Sequence, residues 1–252
     1  MLRAFGVSDK GRVRQANEDC FAIHEDLGLC IVADGMGGHK AGEIAAQMAV
    51  DVIGDHTRSA RVQRASWPFG FDSASSHESN LMRTSILLAH LQILETSVTT
   101  DECAGMGTTV VAAHVVGDRL TIGHVGDSRV YLLAAGKLRR LTDDDSWLAA
   151  MLAHEPAADP ERFQHHPMRH ALTNVVGRRS NADVHIVEET LVVGDLLLLT
   201  TDGVHGVLED PQLEELMTRD DDPKTIAKQV VDSALLCGTR DNCTAVVARY
   251  MN

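Results

Sequence analysis

The chain has 252 residues, 44% of them apolar but only 4% aromatic, enough to bury a sizeable core filled by aliphatic side chains. Its 36 Asp and Glu outweigh 23 Lys and Arg, and the formal charge of −13 disfavours nonspecific binding to nucleic acid or anionic membrane and favours cations as partners. Five cysteines, widely spaced and without a CxxC or Cys/His cluster, argue against a zinc motif and read as reduced core thiols.

The opening MLRAFGVSDKGRVRQ lacks the apolar stretch of a signal peptide. The longest apolar run, Leu196 to Leu199, is far too short to span a bilayer, so a cytoplasmic protein is expected. The first strand candidate is Leu29 to Ala33, and Gly37-Gly38 permit a tight turn into a helix starting at Ala41, whose stripe is Ala45, Met48, Ala49, Val52 and Ile53. A second helical stripe follows at Met82, Ile86, Ala89 and Ile93, and the weakly periodic residues 58 to 79 read as a surface excursion between the two. Val110 to Val116, Leu120 to Val125 and Val130 to Leu133 then read as strands. The turn signals Gly117-Asp118 and Gly136-Lys137 make them antiparallel hairpins rather than parallel crossovers.

Residues 143 to 180, rich in Asp, His, Pro and Arg, read as an elaborated loop or small flap, and their His154, His165, His166 and His170 have no metal-ligand spacing. Strands resume at Leu196 to Thr200 and Thr244 to Ala248. Between them Asp222-Pro223, a cap acceptor followed by proline at the first helical position, starts a helix buried through Ala227, Val230, Val231 and Ala234. No internal repeat or long linker divides the chain.

Four aspartates stand at the edges of these strand candidates: Asp34 in IVADGMGGH, Asp127 in HVGDSR, Asp202 in LLLLTTDG and Asp241 in GTRDN. A single Asp-Gly pair is an ordinary turn signal. Four acids in the same placement can converge on a hard divalent cation, which takes oxygen ligands and offsets the cost of burying carboxylates. Gly35 allows the backbone close enough for its carbonyl to join them.

Taken in order, SDKGRVRQANED, VADGMGGHKAGEIAA, MGTTVVAAHV, HVGDSRVYLL, LTDDDSW, LLLTTDGV and GTRDNCTAVV resemble the bacterial form of the metal-dependent, type 2C serine/threonine protein phosphatases, from about Gly6 to Tyr250. The resemblance implies an α+β fold, a central sandwich of two antiparallel sheets with helices outside (α-β-β-α), forming one catalytic domain over 1–252 with the flap at 143–180. It further implies two tightly bound Mn2+ or Mg2+ ions and a weaker third. Asp34 would bridge the first two, Asp202 and Asp241 complete the first, and the Gly35 carbonyl hold the second. Glu18 and Asp19 would position the second ion partly through its waters, Asp127 and Asp202 would share the third, and Arg14 would bind the substrate phosphate.

The implied reaction is attack of a metal-activated bridging water on phosphoserine or phosphothreonine in proteins, opposing a bacterial Ser/Thr kinase, with that kinase or its targets among the partners and a monomer as the default state. His39 either protonates the leaving oxygen or caps the turn. Some members of the family carry histidine directly after the Asp-Gly pair, where this chain has Met36, so position does not decide between the two. Rival readings are a silent phosphoprotein-binding module, a two-metal nuclease and a calcium protein. Retention of the acids weakens the first, the absence of a basic track the second, and the absence of a twelve-residue ligand loop the third.

Overall fold

The computed structural model describes residues 1–38, 40–62, 66–155, 160–163, 166–219 and 222–252. One sheet has the order β1 (Leu2–Asp9), β11 (Cys243–Tyr250), β10 (Leu196–Thr200), β7 (Arg129–Ala134), β8 (Lys137–Arg140). The other runs β2 (Asp19–His24), β3 (Leu29–Met36), β5 (Val110–Val116), β6 (Arg119–Val125), β9 (His185–Thr190), with the short β4 (Gly107–Thr108) beside the end of β3. All pairings are antiparallel.

Alternation of side chains along each strand builds three cores from two sheets. In β10, Leu197 and Leu199, with Val246 of β11, face Val32, Val111 and Ile122 of the opposite sheet, while Leu196 and Leu198 face outward. That outward face is covered by the short α4 (Asp202–His205), α5 (Asp210–Thr218) and α6 (Pro223–Leu236) through Val204, Leu213, Ile226 and Val230. On the far side α1 (Ala41–Val62) and α2 (His77–Thr99) cover the second sheet through Ala45, Ile53, Met82 and Ile86, which pack on Ile31, Ala112 and Val110. The result is the four-layer α-β-β-α order, with each fully buried Leu, Ile or Val contributing about 1.5–3 kcal/mol before chain entropy is charged against it. Gly6 is a close-approach point: a Cβ there would fall 2.3 Å from the Phe21 ring, so only glycine lets β1 pack this tightly on β2 across the sandwich.

Two hairpins follow the turn chemistry. Gly117 at φ 63° closes β5 to β6, and Ala135 and Gly136, both at positive φ, close β7 to β8. The expected excursion at 58–79 is shorter than the sequence suggests. Helix α1 continues to Val62, its last turn held by Arg58 on Asp26 at 2.7 Å and by Arg61 on the carbonyls of Asp26 and Leu27. At the other end, Ser76 caps α2 by accepting the Ser79 N–H at 3.0 Å. The 143–180 segment contains one full helix, α3 (Trp147–His154), capped by Ser146, and its ends are drawn together by a bridge between Ser146 and Leu172.

Among the described residues no helix is long and apolar enough to cross a membrane. All five cysteines are free, but the expectation of uniformly buried thiols fails: Cys237 is exposed beyond the end of α6 and Cys20 is half-buried.

Candidate metal centre

The ends of β3, β10 and β6 and the starts of β2 and β11 meet at one end of the sandwich, and the strand-edge acids meet with them. They border a cavity of about 220 Å³ lined by Arg14, Glu18, Asp34, Gly35, Met36, Gly37, Thr109, Asp127, His170, Leu172, Asp202, Asp241 and Asn242. Seven of the nine expected site residues are in that lining. Asp19 lies behind it, paired in register with Asp34 and hydrogen-bonded through Oδ2 to Thr201 Oγ1 at 2.9 Å and Thr244 Oγ1 at 2.7 Å. His39 lies outside the described residues. Of the histidines in the 143–180 segment, His154 and His166 are on the surface, His166 stacked on Trp147, His170 is exposed at the rim of the cavity, and His165 lies outside the described residues.

The backbone is arranged to bring these groups close. Gly35 sits where strand β3 meets helix α1, and a Cβ there would lie 2.0 Å from the Gly42 carbonyl oxygen. Gly42 is equally constrained, since its Cβ would fall 2.2 Å from Glu18 Oε1. Asp34 is fixed on both sides: its N–H donates to Thr109 Oγ1 at 3.1 Å, and its carbonyl accepts from the Thr109 N–H and Thr108 Oγ1, both at 2.9 Å. Thr109 Oγ1 also bonds Ser128 Oγ at 2.8 Å, tying β3 to the loop that carries Asp127.

Asn242 was not singled out from the sequence, yet it organises the approach to the cavity. Its Nδ2 donates to the carbonyls of Lys10 and Ala16 at 2.8 and 2.9 Å, and its Oδ1 accepts the Glu18 N–H at 2.8 Å, which latches the 10–18 loop onto the start of β11. That loop delivers Arg14, whose Nη2 contacts Asp241 Oδ2 at 2.6 Å. Thr201 and Thr244, the partners of Asp19, also escaped notice, although each hydroxyl sits at the buried end of an apolar strand, where a polar side chain needs a partner.

Electrostatically the cavity is an excess of buried negative charge. Burial, followed by the charges of Asp19, Asp202, Asp127 and Asp241, holds the Asp34 carboxyl well above the ordinary range. Burial pushes Asp19 and Asp127 up to about 7, and burial with the Asp241 charge pushes Asp202 up to about 6. Glu18 is raised by burial too, while Arg14 is raised by its hydrogen bond to Asp241. Glu18 Oε1, Asp19 Oδ1 and Asp202 Oδ1 are buried without a hydrogen-bond partner, an arrangement that is costly unless a cation or proton satisfies it.

Among the described residues no three His, Cys, Asp and Glu side chains form a finished ligand set. Carboxylates repel at short range, and gathering them further takes the charge of a cation. The donor set fits manganese or magnesium: carboxylate and carbonyl oxygens, no thiolate, and unsatisfied oxygens around a cavity large enough to keep waters. Among the described residues no cysteine lines the cavity, and burial raises Cys20 and Cys243 to about 11 and Cys30 to about 12, which disfavours their thiolates.

An all-oxygen acidic cleft facing an arginine, at the open end of an α-β-β-α sandwich, defines a metal-dependent hydrolase of phosphate esters. Comparison with known proteins agrees. The profile of the family described as Protein phosphatase 2C matches residues 10–236. A serine/threonine phosphatase stp of Listeria monocytogenes is 32% identical over 247 residues, covering 95% of this chain and 92% of its own. The crystal structure of the Mycobacterium tuberculosis serine/threonine phosphatase PstP/Ppp superposes with a TM-score of 0.84 at 29% identity, covering 100% of this chain and 99% of that one. The catalytic domain of PstP in complex with two manganese ions superposes with a TM-score of 0.80 at 29% identity, covering 100% and 99%. The chain belongs to the protein phosphatase 2C family. It is a metal-dependent serine/threonine protein phosphatase, a hydrolase whose substrates are phosphorylated proteins and whose cofactor is manganese or magnesium.

Proposed function

We propose that residues 1–252 work as one catalytic domain in which Asp34 and the Gly35 carbonyl, with Asp202 and Asp241, hold two divalent ions, while Glu18 and Asp19 support the second and Asp127 joins Asp202 at a weaker third. The observation that carries this reading is the set of buried, unpartnered oxygens on Glu18 and Asp202, which line the cavity with Asp34, Asp127 and Asp241, and on Asp19 directly behind it. Manganese or magnesium bound there would lower the pKa of a water and neutralise charge on the phosphoryl oxygens.

The protein's own contribution is to place the phosphate. Arg14, held at the mouth of the cavity by Asp241, presents a planar fork of N–H donors suited to two phosphoryl oxygens. Because Asp241 Oδ2 is already bonded to Arg14, this one carboxylate links the phosphate grip to the metal group. Thr201 and Thr244 keep one Asp19 oxygen occupied and leave the other free. The bonds of Thr108 and Thr109 to the Asp34 backbone fix the point from which its carboxylate enters the cavity. His39 is the proposed proton donor to the leaving serine or threonine oxygen, the alternative being that it caps the turn and a metal-bound water gives the proton.

The flap, residues 143–180, lies beside the cavity through His170 and Leu172 and selects among phosphoproteins. The physiological setting we infer is a cytoplasmic monomer that opposes a serine/threonine kinase and acts on that kinase or its targets. The reaction is tested with para-nitrophenyl phosphate: the protein should turn it over with manganese, stop on chelation and recover when manganese is restored, while Asp34→Ala stays inactive throughout. Activity that survives exhaustive chelation and is destroyed instead by thiol alkylation would overturn the reading.

A further inference from the structure

The segment that enters the flap carries two consecutive acids, Asp144 and Asp145, that the catalytic reading leaves unused. Asp145 Oδ2 accepts the Gly126 N–H at 2.9 Å and Asn174 Nδ2 at 2.8 Å, and its Oδ1 faces His185 Nε2 at 2.9 Å. Its backbone adds two more bonds, donating to the Gly126 carbonyl at 2.9 Å and accepting the Thr173 N–H at 2.8 Å. Asp144 meanwhile grips Arg129 with both oxygens, at 2.8 and 2.7 Å. Gly126 and Arg129 bracket Asp127 and Ser128, so the loop bearing Asp127 is clasped on each side by a neighbouring pair of acids.

These contacts are built rather than incidental. The Asp145 and Asp144 side chains are only 14% and 17% exposed, and hydrogen bonds to an ionised carboxylate in such surroundings are shorter and stronger than neutral ones. Gly126 is held at φ 99°, where an added Cβ would also fall 2.7 Å from Thr109 Cγ2, so its N–H is presented to Asp145 by a conformation that favours glycine. On the flap side the partners are Thr173 and Asn174, immediately after Leu172, which lines the catalytic cavity. Asp145 joins the exit of the flap to the rim of the cavity, and through His185 it also reaches the start of β9.

We propose that Asp145 is a positioning residue that fastens the flap to the Asp127 loop, so that one buried carboxylate sets both the substrate-facing segment and the edge of the catalytic cleft. The proposal rests on the assignments of Asp127 and the flap given above. It separates three variants. Asp145→Ala removes the whole side-chain clasp. Asp145→Asn keeps it, because the amide oxygen can serve Gly126 and Asn174 while the amide N–H2 turns to His185, whose ring can adopt the other tautomer. Asn174→Ala cuts the flap's side-chain arm to Asp145 and with it the two bonds of Asn174 to the Asp183 backbone, at 2.7 and 3.2 Å, while leaving the Asp145 bonds to Gly126 and His185 in place.

The test joins amide hydrogen exchange at Gly126 and Thr173 to steady-state kinetics on a phosphopeptide and on para-nitrophenyl phosphate, all with manganese. Asp145→Ala should retain tight manganese binding, exchange faster at both amides and lose about 10- to 100-fold in kcat on both substrates, the range typical of groups that orient ligands from behind. Asn174→Ala should raise the phosphopeptide KM with little change on aryl phosphate, and Asp145→Asn should recover most of both losses. Unchanged exchange at Gly126 in Asp145→Ala, or equal impairment of the Ala and Asn variants, overturns the proposal. Should Asp145→Ala not fold, wild-type exchange at Thr173 together with a wild-type phosphopeptide KM in Asn174→Ala overturns it. Asp127→Ala run in parallel isolates the underlying assignment: full activity there removes the metal role of Asp127, while the clasp is still judged by exchange at Gly126.

Discussion

Replacing Asn242 by alanine removes three hydrogen bonds of 2.8 to 2.9 Å from a side chain that is only 4% exposed. At about 0.5–1.5 kcal/mol net for each bond the loss comes to roughly 2–4 kcal/mol, because Lys10 and Ala16 lie in an exposed loop whose carbonyls can turn to water. For a chain of this length that corresponds to a fall in melting temperature of roughly 5–12 °C. The same bonds hold the loop that carries Arg14 and Glu18, so phosphate binding should weaken with them. Asn242→Asp sharpens the test. Its carboxylate still accepts the Glu18 N–H but sets an anionic oxygen against the Lys10 and Ala16 carbonyls, close to Asp241. Thermal unfolding in saturating manganese should therefore rank the wild type above Asn242→Ala and Asn242→Asp lowest, with phosphopeptide KM rising in the same order. An aspartate variant as stable as the wild type would refute the latch.

Arg14→Ala should raise KM on both phosphopeptide and aryl phosphate by about 10-fold or more, as expected for loss of a charge-assisted pair; unchanged KM and kcat on both substrates would remove its phosphate role. Stability of the metal-free protein should depend on pH through the raised carboxyls. With folded-state values of about 7 for Asp19 and Asp127, the folded chain retains protons that the unfolded chain has already lost above pH ~4, so stability falls as pH rises through the window from about 4 to 7. Unfolding in chelator at pH 5 and 7 measures this slope, saturating manganese should flatten it, and a rise in metal-free stability over the same interval would contradict it.

The parts of the fold legible in the sequence are those whose burial is complete on both faces. Strands Val110–Val116 and Leu196–Thr200 have the expected boundaries because helices cover one side of each sheet and the partner sheet the other, which leaves a continuous apolar run. Strand β1 was missed because it is half-exposed and interrupted by Gly6 and Ser8; what makes it a strand is its eight-residue pairing with β11, at the far end of the chain. Strand β9 was missed for a similar reason, its Glu188 and Glu189 facing partners rather than core. Helix α5 is not among the expected helices, although Glu209 and Gln212, which form its capping box, and a proline in its first turn were a local signal for it.

The site divides along the same line. Asp34, Asp127, Asp202 and Asp241 could be found because each sits at a strand edge, a local property. Asn242 and Asp145 could not, because what defines them is the identity of partners brought in by the fold: Lys10 stands 232 positions from Asn242, and His185 stands 40 positions from Asp145. A polar residue in a short motif does not reveal whether it ligates, latches or merely caps.

The most direct measurement is calorimetric titration of the metal-free protein with manganese, comparing the wild type with Asp34→Ala, Asp241→Ala and Asp127→Ala. The acids around the cavity should bind two ions tightly in the wild type, Asp34→Ala and Asp241→Ala should lose that tight binding together with turnover, and Asp127→Ala should keep it while turnover falls. Tight binding that survives in Asp34→Ala, or that disappears from Asp127→Ala as completely as from Asp34→Ala, would contradict the assignment of these carboxylates.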